Sequence, residues 1–439
     1  MKFDYIIIGA GSAGCVLSNR LSENPNNNVA VIEAGGPSDI WKVKMPLALL
    51  YTMHDPKYNW KYYSEPEPYL NNRRLFCPRG KMIGGCSTHN GMVFVRGNRN
   101  DYERWENFGL KSWSYEKILP YFKKIENWSG GENQYRGSFG LLPVNQSKND
   151  NPLFKAFLGA ASEAGHKINP DMNGEYQEGF GMFDVTIHNG ERASVSKYYL
   201  NPVKKIKNLS IFSNSFVEKI IFDGKKAIGI EVKINNKIKK FYAEKELILS
   251  GGSINSPQLL MLSGIGPKAH LAAHNIPLEH ALEGVGGNLQ DHLTVVPLCK
   301  ANTAKGTFGV SVKGAASIIK GCAQWFSKRS GILTSNFAES HAFINVLDNS
   351  PAPDIQLEFV IGLVDDHSRK VHFGHGYSIH SSIMRPKSRG TIRLANSNPR
   401  SAPLIDPNYL SHPDDLLLML AGLKKALRIM QSPAFDKIR

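Results

Sequence analysis

Six residues near the N-terminus, Gly9-Ala10-Gly11-Ser12-Ala13-Gly14, constrain this chain more than any other stretch. They follow Phe3 to Ile8, a β-branched apolar run that reads as a short buried strand, and they precede Cys15 to Ser22, which has helical spacing. This is G-x-G-x-x-G at a strand-to-helix junction. Gly9 permits the tight turn, Gly11 lets a pyrophosphate approach the backbone, and Gly14 lets the helix pack close to the strand. The helix N-terminus then faces the phosphates. A second apolar run, Val29 to Ile32, ends at Glu33, 22 residues after Gly11. A carboxylate there accepts hydrogen bonds from adenosine ribose hydroxyls. With its flanking strands the motif predicts dinucleotide binding rather than an empty glycine turn. It does not separate FAD from NAD; the carboxylate argues only against the 2′-phosphate of NADP.

At 439 residues the chain has room for two to four domains, and 41% hydrophobic with 21% charged residues is ordinary globular composition. That excludes collagen-like, coiled-coil and wholly disordered architectures. No apolar stretch reaches the roughly 18 residues of a membrane-spanning helix. The opening is a poor signal peptide, its apolar run being only about five residues before the glycines. Lys plus Arg is 53 against 38 Asp plus Glu, a net charge of +15. The cations are spread in pairs such as Lys204-Lys205, Lys239-Lys240 and Lys424-Lys425. They describe a diffuse basic surface, and no nucleic-acid-binding signature accompanies them. The five cysteines are odd in number and never spaced C-x-x-C, so neither a disulfide framework nor a metal site is expected, and a reducing cytoplasm fits.

Two further stretches narrow the cofactor. The first runs from Arg79 to Val93 through Gly80, Gly84-Gly85-Cys86-Ser87-Thr88-His89-Asn90 and Gly91-Met92. Its glycines admit a planar or phosphorylated group to the backbone, and Ser87, Thr88 and Asn90 supply hydrogen bonds. In the second, the apolar strand Leu247 to Ser250 leads into Gly251-Gly252-Ser253-Ile254-Asn255-Ser256-Pro257. There Ser256 suits an N-cap and Pro257 the first helical position, with a stop at Ser263-Gly264-Ile265-Gly266-Pro267. These segments resemble the glucose–methanol–choline (GMC) family of FAD-dependent alcohol oxidoreductases. The likeness continues through Gly284 to His292 and Leu404 to Leu410, and so spans essentially the whole chain.

The resemblance implies an α/β protein in two parts. A Rossmann-like FAD-binding domain would take roughly 1–150 and 205–292. A discontinuous α+β substrate domain, a six-stranded-type sheet with helices, would take 151–204 and 293–439. It implies FAD with Gly9, Gly11, Ser12, Ala13 and Gly14 at the pyrophosphate, Glu33 at the ribose, and Gly84, Asn90, Met92 and Val93 near the flavin. Val217 matches the residue whose backbone contacts adenine, and Trp60 is a candidate cofactor contact for which plain core packing is an equal alternative. Most family members carry an aliphatic residue where this chain has His89. Cys86-Ser87-Thr88-His89-Asn90 resembles the choline oxidase subset, in which that histidine is joined covalently to the flavin. The implied reaction is oxidation of a small primary alcohol, choline-like by preference, with oxygen or a quinone-type carrier accepting the electrons. Glu339 is the candidate carboxylate for a trimethylammonium group, weighed against an ordinary structural role. The family's catalytic histidine lies in a segment of the type H-P-x-G-T-x-x-M-G. No such run occurs here, so no catalytic residue is assigned, and His292, His341 and His380 are read as structural. The chain resembles a C-terminally incomplete member, and a catalytically impaired flavin-binding fragment is the competing expectation. A cytoplasmic location is expected, with peripheral attachment to a membrane left open and the oligomeric state unassigned.

Overall fold

The computed structural model describes residues 1–147, 150–347 and 350–439. The elements that position the site are, in chain order, β1 (Lys2–Ile8), α1 (Ser12–Ser22), β2 (Val29–Ile32), α2 (Pro152–Glu163), β3 (Gly179–Met182), β4 (Leu209–Phe212), β5 (Phe216–Asp223), β6 (Lys226–Ile234), β7 (Lys237–Leu249), α3 (Gly252–Leu262), α4 (Val312–Lys328), β8 (Ser340–Ile344), β9 (Ile355–Val360), β10 (Gly374–Ile383) and α5 (Pro413–Met430).

A six-stranded sheet has the order β4-β2-β1-β7-β6-β5. Its first four strands are parallel, and β5 to β7 close it as an antiparallel meander. The runs of β1 and β2 are continuously apolar because both faces of a parallel sheet are covered. Ile6, Ile8, Ala30 and Ile32 point to the side packed by Phe241 and α3's Leu259, whereas Ile7, Val29 and Val31 point to the side packed by α1. Each fully enclosed Ile or Val on these strands contributes about 1.5–3 kcal/mol.

A second, antiparallel sheet has β10, β9, β8 and β3 in that order, with three short strands, Thr294–Val295, Leu298–Lys300 and Phe308–Val310, sharing the outer edge of β10. Seven strand segments thus build what was expected as a six-stranded-type sheet. One face, through Ile355, Leu357, Phe359 and Ile379, packs against α2 and α5 in the largest apolar cluster. The other face carries polar side chains, a point that bears on the site.

One local expectation is corrected. The helix after Gly251 begins at Gly252, not at Pro257, and Pro257 lies inside it. Gly252, at φ +80°, turns the chain directly from β7 into the helix, a conformation that suits glycine. The last four residues before the proline are therefore already helical.

Candidate active site

Gly9 and Gly14 make the turn after β1 physically specific. Gly9 has φ +97°, and a Cβ there would lie 2.6 Å from the Ser250 carbonyl oxygen. A Cβ on Gly14 would lie 1.9 Å from the Gly9 carbonyl oxygen. Gly11 differs: the nearest protein atom to a Cβ would be 4.0 Å away, so its outward side is open. That open side faces a cleft of about 540 Å³.

The cleft gathers Gly9, Gly11, Ser12, Ala13, Glu33, Trp60 and Val217 into one wall. Helices α1 and α3 both present their first turns to it, through Gly11–Ala13 and Gly251–Ser253. Neither helix has a side-chain cap on its N-terminal amides, and neither has an acidic residue in its first turn. Two uncommitted helix N-termini converging on one space form an anion site. Arg79, also in the wall, adds a cation that the sequence reading did not single out. Glu33 sits at the far end of β2, its carboxylate accepting from the amides of Ala10 at 2.9 Å and Gly35 at 2.8 Å. Burial outweighs those two bonds and pushes its pKa up to about 7. Trp60 lines the cleft while stacking on Tyr62, with ring centroids 5.8 Å apart, so cofactor contact and core packing coexist there.

The second glycine segment abuts the first. Gly84 donates its amide to the Ala10 carbonyl at 2.6 Å, and a Cβ on Gly85 would stand 2.8 Å from Gly11 Cα. Gly85 and Cys86 of this segment line the cleft, whereas Gly84, His89, Asn90, Met92 and Val93 are not in its wall. Gly14 lies behind it, against the strand. His89 is buried, and its Nδ1 has no partner. Burial, with the cations Arg192 and Arg79, lowers its pKa to about 4. The imidazole is therefore neutral near pH 7 and carries a free lone pair.

Arg192 holds this segment in place. Its guanidinium is fully buried without a carboxylate partner among the described residues, donating to the carbonyls of Ser87 (3.3 Å) and Asn90 (2.8 Å), to the Asn90 side chain, and to the Val43 carbonyl. Burial draws its pKa down to about 9. Nothing in Glu191-Arg192-Ala193 marked this role; a buried arginine is visible only once the chain is folded.

Glu339 lies at the entry to β8. Asn336 donates to the Gly91 carbonyl at 2.5 Å, Thr186 donates its amide to the Met92 carbonyl at 2.7 Å, and Phe183 donates its amide to the Glu339 carbonyl at 2.9 Å. These bonds bring Glu339 alongside the His89–Val93 segment, and its carboxylate accepts from the Ser335 hydroxyl at 2.5 Å. Beside it, His341, Glu358 and His380 form a row across β8, β9 and β10, each directly opposite the next. Side chains directly opposite on antiparallel strands share a face, here the one turned away from α2 and α5. His341 stacks on Phe183 at 3.7 Å. Glu358 and His380 are half-buried. Burial raises Glu358 to about 7 and lowers His341 to about 3 and His380 to about 4. The sequence reading treated both histidines as structural and passed over Glu358.

The residues therefore fit a dinucleotide carrying a planar ring system: an anion cradle, a ribose carboxylate, an open glycine face, and a buried neutral imidazole next to a polar-faced sheet. Comparison with known proteins agrees. Family models described as GMC oxidoreductase match residues 3–294 and 386–439. The chain is 41% identical over 438 residues to an alcohol dehydrogenase [acceptor] of Pseudomonas putida, covering 99% of this chain and 79% of that one. It is 42% identical over 423 residues to mitochondrial choline dehydrogenase of Mus musculus, covering 94% and 70%. Among solved structures, pyridoxine 4-oxidase from Mesorbium loti superposes with a TM-score of 0.89 at 27% identity, covering all of this chain and 82% of that one.

Proposed function

Because the chain belongs to the GMC oxidoreductase family, we propose that it binds FAD and oxidises a small primary alcohol, choline-like by preference, to the aldehyde. Bound FAD supplies the hydride acceptor at its flavin N5. The observation that carries this reading is the cleft where two uncapped helix N-termini meet Glu33 across an open glycine. In it the amides of Gly11 to Ala13 and Gly251 to Ser253 hold the pyrophosphate, and Glu33 accepts from the ribose hydroxyls. Val217 lies along the adenine, and Trp60 closes the wall. Gly84, Asn90, Met92 and Val93 support the ring system, with Gly14 keeping the helix against the strand. His89 would be the point of attachment for the flavin, its neutral, buried imidazole offering a free nitrogen to the ring system. Glu339 receives the cationic head of the alcohol. In domain terms, residues 1–150 and 205–292 hold the cofactor and 151–204 with 293–439 hold the substrate. The electrons pass to oxygen or to a quinone-type carrier, and the protein works in the cytoplasm, attached peripherally to a membrane.

A second reading concerns turnover. No run of the type H-P-x-G-T-x-x-M-G occurs among these 439 residues. The polypeptide as it stands would then bind flavin but lack the imidazole that takes the hydroxyl proton, a step worth roughly 10²–10⁴-fold in rate. An absorbance spectrum of the flavin-loaded protein before and after choline addition separates the two. Rapid bleaching of the flavin band supports an active dehydrogenase, whereas a band that persists supports the impaired reading. A protein that takes up no flavin defeats both. Acid denaturation tests His89: yellow colour released wholly into the supernatant sinks the covalent link.

A further inference from the structure

Helix α4 is apolar on two opposite sides, where a surface helix of a globular protein has one apolar stripe. Gly314, Gly321 and Trp325 face inward, and the Trp325 indole donates to the Gly190 carbonyl at 2.8 Å. On the outer side Val312, Ile319 and Phe326 are 89%, 72% and 55% exposed. Ala315, Ala316 and Ala323 lie exposed between them. With 3.6 residues per turn, these six positions fall within an arc of about 100° along a helix roughly 25 Å long. The solvent-facing stripe is thus itself apolar.

The stripe continues past both ends. Phe373, 75% exposed, is bridged to Val310 beside the start of α4. At the other end the exposed Trp41 packs on Phe326 with ring centroids 5.8 Å apart, and Lys42 Nζ sits 3.9 Å over the exposed ring of Tyr51. Charge along the α4 segment itself has one sign. Residues 301 to 338 contain five basic residues and no acidic one. Glu191, the carboxylate that approaches the segment, is taken up by Arg329 and Lys197. Lys313 and Lys320 run along one border of the stripe, where long side chains keep apolar stems on a hydrophobic surface and reach outward with their charge.

We propose that this face docks on an anionic lipid bilayer, with α4 lying in the interface plane. An apolar stripe bordered by lysines, with Trp and Tyr at its end, is the pattern that binds such a surface. No helix among the described residues is long and apolar enough to cross a membrane, so attachment through this stripe is peripheral. A second copy is the poorer occupant, since it would set lysines against lysines on a molecule of charge +15. The inference deepens the peripheral location proposed above and is read without any alcohol oxidation, so the two succeed or fail separately.

The test is co-sedimentation of the 439-residue chain with vesicles of phosphatidylcholine alone and of phosphatidylcholine mixed with phosphatidylglycerol. The expected result is binding to the mixed vesicles that weakens with added salt. The double variant Ile319→Glu/Phe326→Ser should bind about tenfold or more weakly, at an unchanged melting temperature because both side chains are exposed. Lys313→Glu/Lys320→Glu should lose binding to the mixed vesicles although it removes no apolar residue. Phe139→Ser, which removes an exposed ring in a different loop, should bind as the parent does. Absence of binding to mixed vesicles, equal binding by the Ile319/Phe326 variant, or a protein dimer that this variant dissociates without any vesicle binding would each overturn the proposal.

Discussion

Two glycines of the first turn look alike in sequence and differ in what surrounds them. At Gly14 the neighbour a Cβ would meet, at 1.9 Å, is backbone, which cannot rotate away. Gly14→Ala should therefore destabilise the apoprotein by about 2–4 kcal/mol, read by urea unfolding. At Gly11 the protein leaves room, and its φ of −70° is open to any residue. Gly11→Ala should leave apoprotein stability within about 1 kcal/mol of the parent while abolishing flavin uptake, because the methyl occupies the pyrophosphate's approach. Equal loss of stability in both variants would mean that the turn, not the ligand, demands Gly11. Glu33 adds a pH dependence. Its pKa near 7 means that ribose hydroxyls, which donate to the ionised form, favour the deprotonated protein. Flavin affinity should rise up to about tenfold between pH 6 and pH 8 and level off above. Glu33→Gln should bind weakly with a flat profile, measured by fluorescence quenching of free FAD; a parent profile that is already flat sinks the assignment.

Among the elements, the antiparallel sheet shows where sequence reasoning stops. Asp354 to Phe359 alternates polar and apolar, and that period correctly predicts a strand with one face in the core, found as β9. Alternation says nothing about what the second face meets. Here it carries Glu358 between His341 and His380, on the face turned away from α2 and α5. Register across three strands, set by residues far apart in the chain, makes the row. Glu358 yields a signed prediction. Its folded pKa stands above its ordinary 4.5, at about 7. Its contribution to stability is thus fully present below pH 4.5 and lost as pH rises through 7. Glu358→Gln should be neutral at pH 4 and should stabilise by about 1–2 kcal/mol at pH 8, less than full burial would give because the residue is only half-buried. The two histidines run the other way, their lowered pKa values costing stability as pH falls from 6.5 toward 4. Urea midpoints for parent and variant at both pH values give the answer, and a variant no more stable at pH 8 would show that the carboxyl is ionised and satisfied.

At the scale of the molecule, what was legible in the sequence is local chemistry repeated at distant places. The glycine turn, the carboxylate after β2 and the strand before Gly251 could each be read alone, and the fold brings them into one cleft because β1 pairs with both β2 and β7. Arg192 was not legible, since an arginine is chosen for burial by partners that only the tertiary structure supplies, and Arg79's place in the cleft wall emerges only from the fold. The cleft's wall draws on residues as far apart as Ile8 and Pro399, so a bound dinucleotide touches at once segments that lie far apart in the chain. Flavin should then stabilise the chain as a whole, not merely order a loop. At a free FAD concentration one hundred times its dissociation constant the gain is about 2.7 kcal/mol. For a chain of this length, with an unfolding entropy near 2.1 cal/mol/K per residue, that corresponds to a rise of about 3 °C in melting temperature. The rise should appear equally in circular dichroism, which follows both sheets, and in tryptophan emission, which includes Trp325 on α4 far from the turn in sequence. It should be smaller at pH 6 than at pH 8 through Glu33, and absent in Gly11→Ala. A shift seen by one probe alone would mean that the cofactor stabilises only the parallel-sheet side, and that the two sheets melt as separate units.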